Sequence, residues 1–209
     1  MTDIRRSLLK GMSSIVTDLY GVPAAQKSAV YKTADTPAPA NPPALPSFTQ
    51  LWKTADETID WTDILVSPTP TDGLTPPEKW SFLHRHAQGV LKGDVAAYQA
   101  VLQQENPMAD LLPYVAALEV TIVDADALQA VFAPRADLDG AEYLCGMAVR
   151  IARDLFAALP VLQVDVNSTQ ADRTLLSVSF TRSELNKVRF AFIDPAEFVK
   201  ACGGSLKEG

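Results

Sequence analysis

The chain has 209 residues, 47% hydrophobic and 21% charged, an ordinary globular composition with length for one domain of fair size. With 18 basic against 25 acidic residues the net charge is −7, which argues against a general nucleic-acid binder. No apolar run of about eighteen residues is present, so no membrane-spanning helix is expected.

The stretch from Met1 to Met12 lacks a continuous apolar core and does not read as a secretory signal. Two cysteines, Cys145 and Cys202, supply neither a disulfide framework nor a metal cluster. A reducing, cytoplasmic setting is the expectation. The charge is uneven: residues 1–50 carry +2, residues 51–142 carry −10 and residues 143–209 carry +1. The acid is therefore concentrated in mid-chain, where it forms a solvated surface or a face for a basic partner.

Residues 3–20 read as an amphipathic helix, with Ile4, Leu8, Met12, Ile15, Val16 and Leu19 at three- and four-residue steps. Gly21 and Pro23 end it. Residues 34–47 hold five prolines, which exclude helix and central strand and indicate a semi-rigid linker. The expected organisation is thus an N-terminal helix and tail over 1–33, a linker over 34–47 and an α+β domain over 48–209.

Residues 48–66 intersperse Phe48, Leu51, Trp52, Ile59, Trp61, Ile64 and Leu65 with Asp56, Glu57, Asp60 and Asp63. Short acidic helix or strand pieces fit this pattern. The tryptophans either pin the segment to the core or, with the acids, form a recognition surface. Ser67 to Gly73 is a loop by its turn residues. Thr75-Pro76-Pro77-Glu78 then starts a helix as a capping box, with Trp80, Leu83, Ala87, Val90 and Leu91 as its stripe. Lys92-Gly93 breaks it, Asp94 caps the next helix, and Asn106-Pro107 restarts a short third one to about Tyr114.

From residue 118 the pattern alternates. Strands are expected at 118–123, with Leu118, Val120 and Ile122 inward, and around Leu128, Ala130 and Phe132, joined by the Asp124–Asp126 turn. Helix 141–159 has a continuous stripe of Leu144, Met147, Ala148, Ile151, Leu155, Phe156 and Leu159, stopped by Pro160. Strands follow at 161–166, with Leu162, Val164 and Val166 on one face, and at 174–181, then helical turns at 183–187 and 195–202. The expected fold is α+β: a four-stranded, mainly antiparallel sheet in ββαββα order, covered by helices and preceded by helical segments.

Chemical motifs are sparse. His84 and His86 fall on different helix faces, so they do not share a metal; zinc-binding helices use a spacing of four. Asp137, Asp139 and Glu142 resemble a calcium-loop fragment, but its twelfth position is Ala148 rather than a glutamate. Asp139 reads instead as a helix cap. Cys145 lies in an apolar pattern as a buried thiol. Arg150, Arg153 and Asp154 read as a surface ion-pair cluster, with a phosphate or carboxylate site as the alternative. No glycine-rich phosphate loop or nucleophile elbow occurs.

At Asn106-Pro107-Met108-Ala109-Asp110-Leu111-Leu112 and from Cys145-Gly146 through Arg150, Arg153, Phe156, Leu159 and Pro160, the chain resembles a family of uncharacterised bacterial proteins. Their pattern is Asn-Pro-x-Ala-Asp-Leu-Leu, then Cys-Gly-x-x-x-Arg-x-Ala-Arg-x-x-Phe-Ala-x-Leu-Pro-Val. Leu175-Leu176-Ser177-Val178 and Ile193-Asp194-Pro195 match as well. The likeness covers roughly residues 94–200 and implies a bacterial setting and an α+β unit, but no activity.

With no acid–base–nucleophile set, the expectation is a non-catalytic protein-interaction module without cofactor, metal or catalytic residues. The candidate partner face is Trp52, Asp56, Glu57, Asp60, Trp61 and Asp63. An acidic inhibitor seated in the nucleic-acid site of an enzyme is one alternative. A carboxylate hydrolase using Asp137 and Asp139 is another.

Overall fold

A computed structural model describes residues 30–32, 48–135, 138, 140–171 and 173–207. The helix expected at 3–20, the Pro-rich linker at 34–47, and Asp137 and Asp139 lie outside the described residues.

The fold is α+β. Among the described residues six strands form one sheet: β1 (Val30–Lys32), β2 (Val115–Ile122), β3 (Ala127–Pro134), β4 (Gln163–Gln170), β5 (Arg173–Thr181) and β6 (Ser205–Leu206). Their order across the sheet follows the chain, and every neighbouring pair is antiparallel except β3 with β4. The four central strands sit near their expected places, but the sheet is mixed and six-stranded rather than four-stranded. β1 and β6 have three and two residues, too few for alternation to show. The one parallel pair follows from the intervening helix, which carries the chain back to the starting end of β3.

The helices are α1 (Trp61–Val66), α2 (Pro77–Leu91), α3 (Val95–Glu105), α4 (Ala141–Ala158), α5 (Arg182–Leu185) and α6 (Pro195–Ala201). Phe48–Lys53, Ala109–Tyr114 and Phe190–Phe192 are 3-10 turns. Helix α4 is apolar nearly all round, the pattern of a helix with neighbours on several sides. It packs on β4 and β5, on α6, and on the 3-10 turn Phe48–Lys53. Leu118, Val120 and Ile122 of β2 join Leu128, Ala130 and Phe132 of β3, Val164 and Val166 of β4, and Leu176 and Phe180 of β5 in the core. The opposite sheet face carries Glu119, Gln129, Asp165, Asn167, Ser177 and Ser179, as expected of a sheet with one covered side. Leu162 departs from its expected inward face: β4 begins at Gln163, two residues after the expected start, and Leu162 is 57% exposed.

Asp94 caps α3 as expected, accepting from the amides of Ala96 and Ala97. The Thr75 capping box does not form. Helix α2 has Pro76 at its N-cap with no side-chain bond. The Thr75 hydroxyl instead donates to Asp72 at 2.5 Å, and Asp72 also accepts from the amides of Leu74 and Thr75. An Asx turn has captured the cap residue. Helix α4 likewise starts at Gly140 without a side-chain cap.

Candidate functional site

The acidic segment from Trp52 to Asp63 lies against the C-terminal half of α4. Its attachment answers a hydrogen-bond requirement. A helix ends with carbonyls that lack intrahelical donors, and buried ones need partners from elsewhere. Here the amide of Ile59 donates to the carbonyl of Ala157 at 2.9 Å. The indole Nε1 of Trp61 donates to the carbonyl of Ala158 at 2.9 Å. Arg182 supplies the remainder: its Nη2 donates to the carbonyls of Phe156 and Leu159, and its Nε to that of Val161 at 2.8 Å. A cation at this end also complements the helix dipole.

Two arginines of α4 hold the segment further up. Arg153 donates through Nη1 to the carbonyls of Trp52 and Thr54, while its guanidinium lies 4.0 Å over the Phe190 ring. Arg150 donates through Nε to Asp154 at 2.7 Å, through Nη1 to the Thr54 hydroxyl at 2.7 Å and through Nη2 to Asp110 at 2.9 Å. Its Nη2 also lies 3.8 Å from Asp56. Asp154 accepts the amide of Asp56 at 2.9 Å with its second oxygen. These residues do not form the surface cluster expected from sequence: Arg150 is 4% exposed and Asp154 is fully buried. Burial pushes the Asp154 carboxyl up to about 7, against the pull of Arg150 and the Asp56 amide. Burial also raises the Asp56 carboxyl, opposed by Arg150.

The six residues of the expected partner face divide into two groups. Trp52 and Trp61 are 3% and 4% exposed and act as anchors, so neither ring belongs to a surface. The Trp52 ring lies against Gly146, where a Cβ would stand 2.7 Å from Cε3; glycine within α4 admits the indole. Asp56, Glu57 and Asp60 are exposed, and Asp63 is half-buried. Asp60 caps α1 by accepting from the amides of Thr62 and Asp63. Asp63 accepts from the hydroxyls of Ser67 and Thr71. Glu57 makes no ion pair or hydrogen bond among the described residues. Beyond the acids, Leu65, Val66 and Leu74 are exposed, Leu74 by 87%.

Grooves flank the segment on both sides. One, of about 290 Å³, is lined by Asp56, Glu57, Ile59, Lys79, Glu105 and Pro107, with Lys79 and Glu105 paired at 2.6 Å. The other, of about 170 Å³, has Arg153, Phe156, Arg182, Leu185, Asn186 and Phe190 in its wall.

The other titratable candidates are placed as follows. Cys145 is buried and burial pushes its thiol up to about 11, which removes it as a thiolate nucleophile. His84 and His86 are half-buried, and the His86 ring lies 4.7 Å from that of Phe82. Among the described residues no group of three or more His, Cys, Asp or Glu is placed to hold a metal ion. No described helix is long and apolar enough to cross a membrane.

Sequence reasoning missed Asp110 and Arg182 altogether. The available signal was a pair of charges four residues apart, Arg150 and Asp154, inside a mostly apolar helix whose other charges are Glu142 and Arg153. No protein-family model, curated protein or solved structure matches the chain, so the resemblance over residues 94–200 gains no support and the fold stands on its own geometry.

Proposed function

We propose that the chain is a non-catalytic protein-interaction module of a bacterial cytoplasm whose partner face is the acidic segment 56–74. The observation that carries this reading is the division of labour over residues 52–74. Trp52 and Trp61 are buried as anchors, while Asp56, Glu57 and Asp60 stand in solvent beside exposed Leu65, Val66 and Leu74. Rigidly held acids flanked by exposed aliphatic side chains suit a partner that is basic and partly apolar. Pre-ordering lowers the entropy lost on association. The raised Cys145 thiol and the engagement of Asp154 in a buried pair favour binding over nucleophilic or acid–base chemistry.

Affinity capture from native-host extract tests this reading, comparing the wild-type chain with a Glu57→Arg/Val66→Asp/Leu74→Asp variant. All three side chains are exposed, so the variant should keep its fold. A basic partner retained by the wild type and lost by the variant supports the proposal. Equal recovery by both, or no specific partner for either, refutes it. The inhibitor alternative separates by salt: a complex at a nucleic-acid site weakens steeply with ionic strength, whereas a partly apolar interface does not.

A further inference from the structure

Arg150 and Arg153 belong to the same helix face but differ in charge balance. Arg150 has Asp154, Asp110 and Asp56 around it. Arg153 forms no ion pair among the described residues, and neither does Arg182 of the same groove. In a chain of net charge −7, two guanidiniums without an ion pair in one cavity wall are conspicuous; Asp56 is the one carboxylate that lines the same cavity, and its contact is with Arg150 at 3.8 Å. Both are half-buried, and burial lowers the pKa of each, so neither charge is well solvated.

Their hydrogen bonds orient them without exhausting them. A guanidinium has five N–H donors. Arg153 spends both Nη1 donors on the carbonyls of Trp52 and Thr54, leaving Nε and Nη2 without a protein acceptor among the described residues. Arg182 spends Nε on Val161 and Nη2 on Phe156 and Leu159, leaving Nη1. Both guanidiniums also lie over aromatic rings: Arg153 over Phe190 at 4.0 Å, and Arg182 over Phe156 at 5.0 Å. Rigid forks with spare edges are the usual means of holding carboxylates and phosphates.

The two cations are anchored at different levels of α4. A helical side chain leans toward the N-terminus, so the Arg153 head lies over the turn before its own Cα. Arg182 is tied to the carbonyls of the last turn. At 1.5 Å per residue the two heads stand roughly one to two turns apart, on the order of 5–10 Å along the helix. Phe156, Ala157 and Leu185 line the same cavity and provide apolar surface, and Asn186 adds a polar group.

We propose that the Arg153–Arg182 groove binds a small linear dianion, a dicarboxylate whose two charges are separated by an aliphatic spacer. Each carboxylate meets one guanidinium and the methylenes lie along Phe156 and Ala157. A single compact oxyanion would satisfy only one arginine. The site borders the partner face at 56–74, sharing Asp56 and Thr58 with it, but does not rest on that reading.

The test is titration of the full chain at low salt with malonate, succinate, glutarate and adipate, with acetate and inorganic phosphate as comparators, read by calorimetry and thermal shift. A bound ligand raises the melting temperature by mass action. The expected result is a length optimum, with that dicarboxylate binding at least about tenfold tighter than acetate or phosphate. Asn186→Asp places a carboxylate in the groove at an exposed position and should weaken binding by about tenfold or more. Arg153→Lys keeps the charge, removes the fork, and should weaken binding similarly. The proposal fails if no dicarboxylate binds up to about 10 mM, a concentration that would largely fill a millimolar site. It also fails if acetate or phosphate binds as well as the best dicarboxylate, or if the folded Asn186→Asp protein binds unchanged.

Discussion

Replacing Arg150 with methionine probes the centre of the structure, because it removes one charge and leaves another stranded. Methionine fills the space of the arginine stem. Asp154, fully buried, then keeps only the amide of Asp56 as a partner. The bond to Asp110 contributes little to the loss, since that carboxylate is 59% exposed and screened by water. The main cost is the uncompensated buried carboxylate, about 3–5 kcal/mol for a broken buried pair. For a chain of this size that corresponds to a fall in melting temperature on the order of 10 °C. The stranded carboxyl can escape part of the cost by binding a proton, so the loss should be smaller at pH 5 than at pH 8. The double variant Arg150→Met/Asp154→Leu removes both charges and should recover at least half of the loss, because an apolar pair of similar volume replaces an ion pair without stranding either member. Urea unfolding followed by circular dichroism and tryptophan fluorescence measures all of these. Arg150→Met within about 1 kcal/mol of wild type, or a double variant no more stable than the single, would refute the reasoning.

Other outcomes follow from the same geometry. The Asp154 carboxyl is raised in the fold from 3.8 to about 7, so between those values the native state holds a proton the unfolded chain has released. Its contribution to stability is therefore present below about pH 4 and lost as pH rises toward 7, with a slope up to roughly 1 kcal/mol per pH unit. Asp154→Asn should flatten this part of the stability profile, and an unchanged profile would count against the assignment. Gly146→Ala should destabilise by about 1–2 kcal/mol, because the new methyl overlaps the Trp52 ring by more than helix propensity regains. Trp52→Leu in the Gly146→Ala background should return part of that loss, and additive effects in the cycle would argue against direct contact. Ala171→Gly should stabilise by about 1 kcal/mol, since Ala171 has φ +46° in the β4–β5 turn; a loss of stability would contradict it.

Much of the C-terminal half was legible from periodicity. The stripe from Leu144 to Leu159 located α4, and alternation located the four central strands, because in each strand a single buried face repeats at the period of its backbone. Short elements were not legible: Val30–Lys32 pairs with β2 through three residues whose neighbours supply no pattern. The Thr75 cap failed for a local reason, since Asp72 three residues earlier competes for its hydroxyl. Of the candidate face, Asp56, Glu57 and Asp60 are exposed and Asp63 is half-buried, while an indole beside them reads equally as anchor or recognition group. Only the carbonyl of Ala158, 97 residues away, decides it for Trp61. The Arg150 network is illegible for the same reason. An Arg and an Asp four residues apart look like a solvated helix pair until Thr54 and Asp110 arrive from distant parts of the chain.

Segment 52–61 is tied into the fold by the Asp56 and Ile59 amides and the Trp61 indole, which hold its acids in place. Native-state hydrogen exchange of two amides tests it most directly: Asp56, which donates to Asp154, and Ile59, which donates to the carbonyl of Ala157. Both should exchange with protection close to that of the α4 core amides, opening only with global unfolding. Exchange of either at nearly the unprotected rate, while α4 stays protected, would show that the segment detaches on its own and would contradict the account.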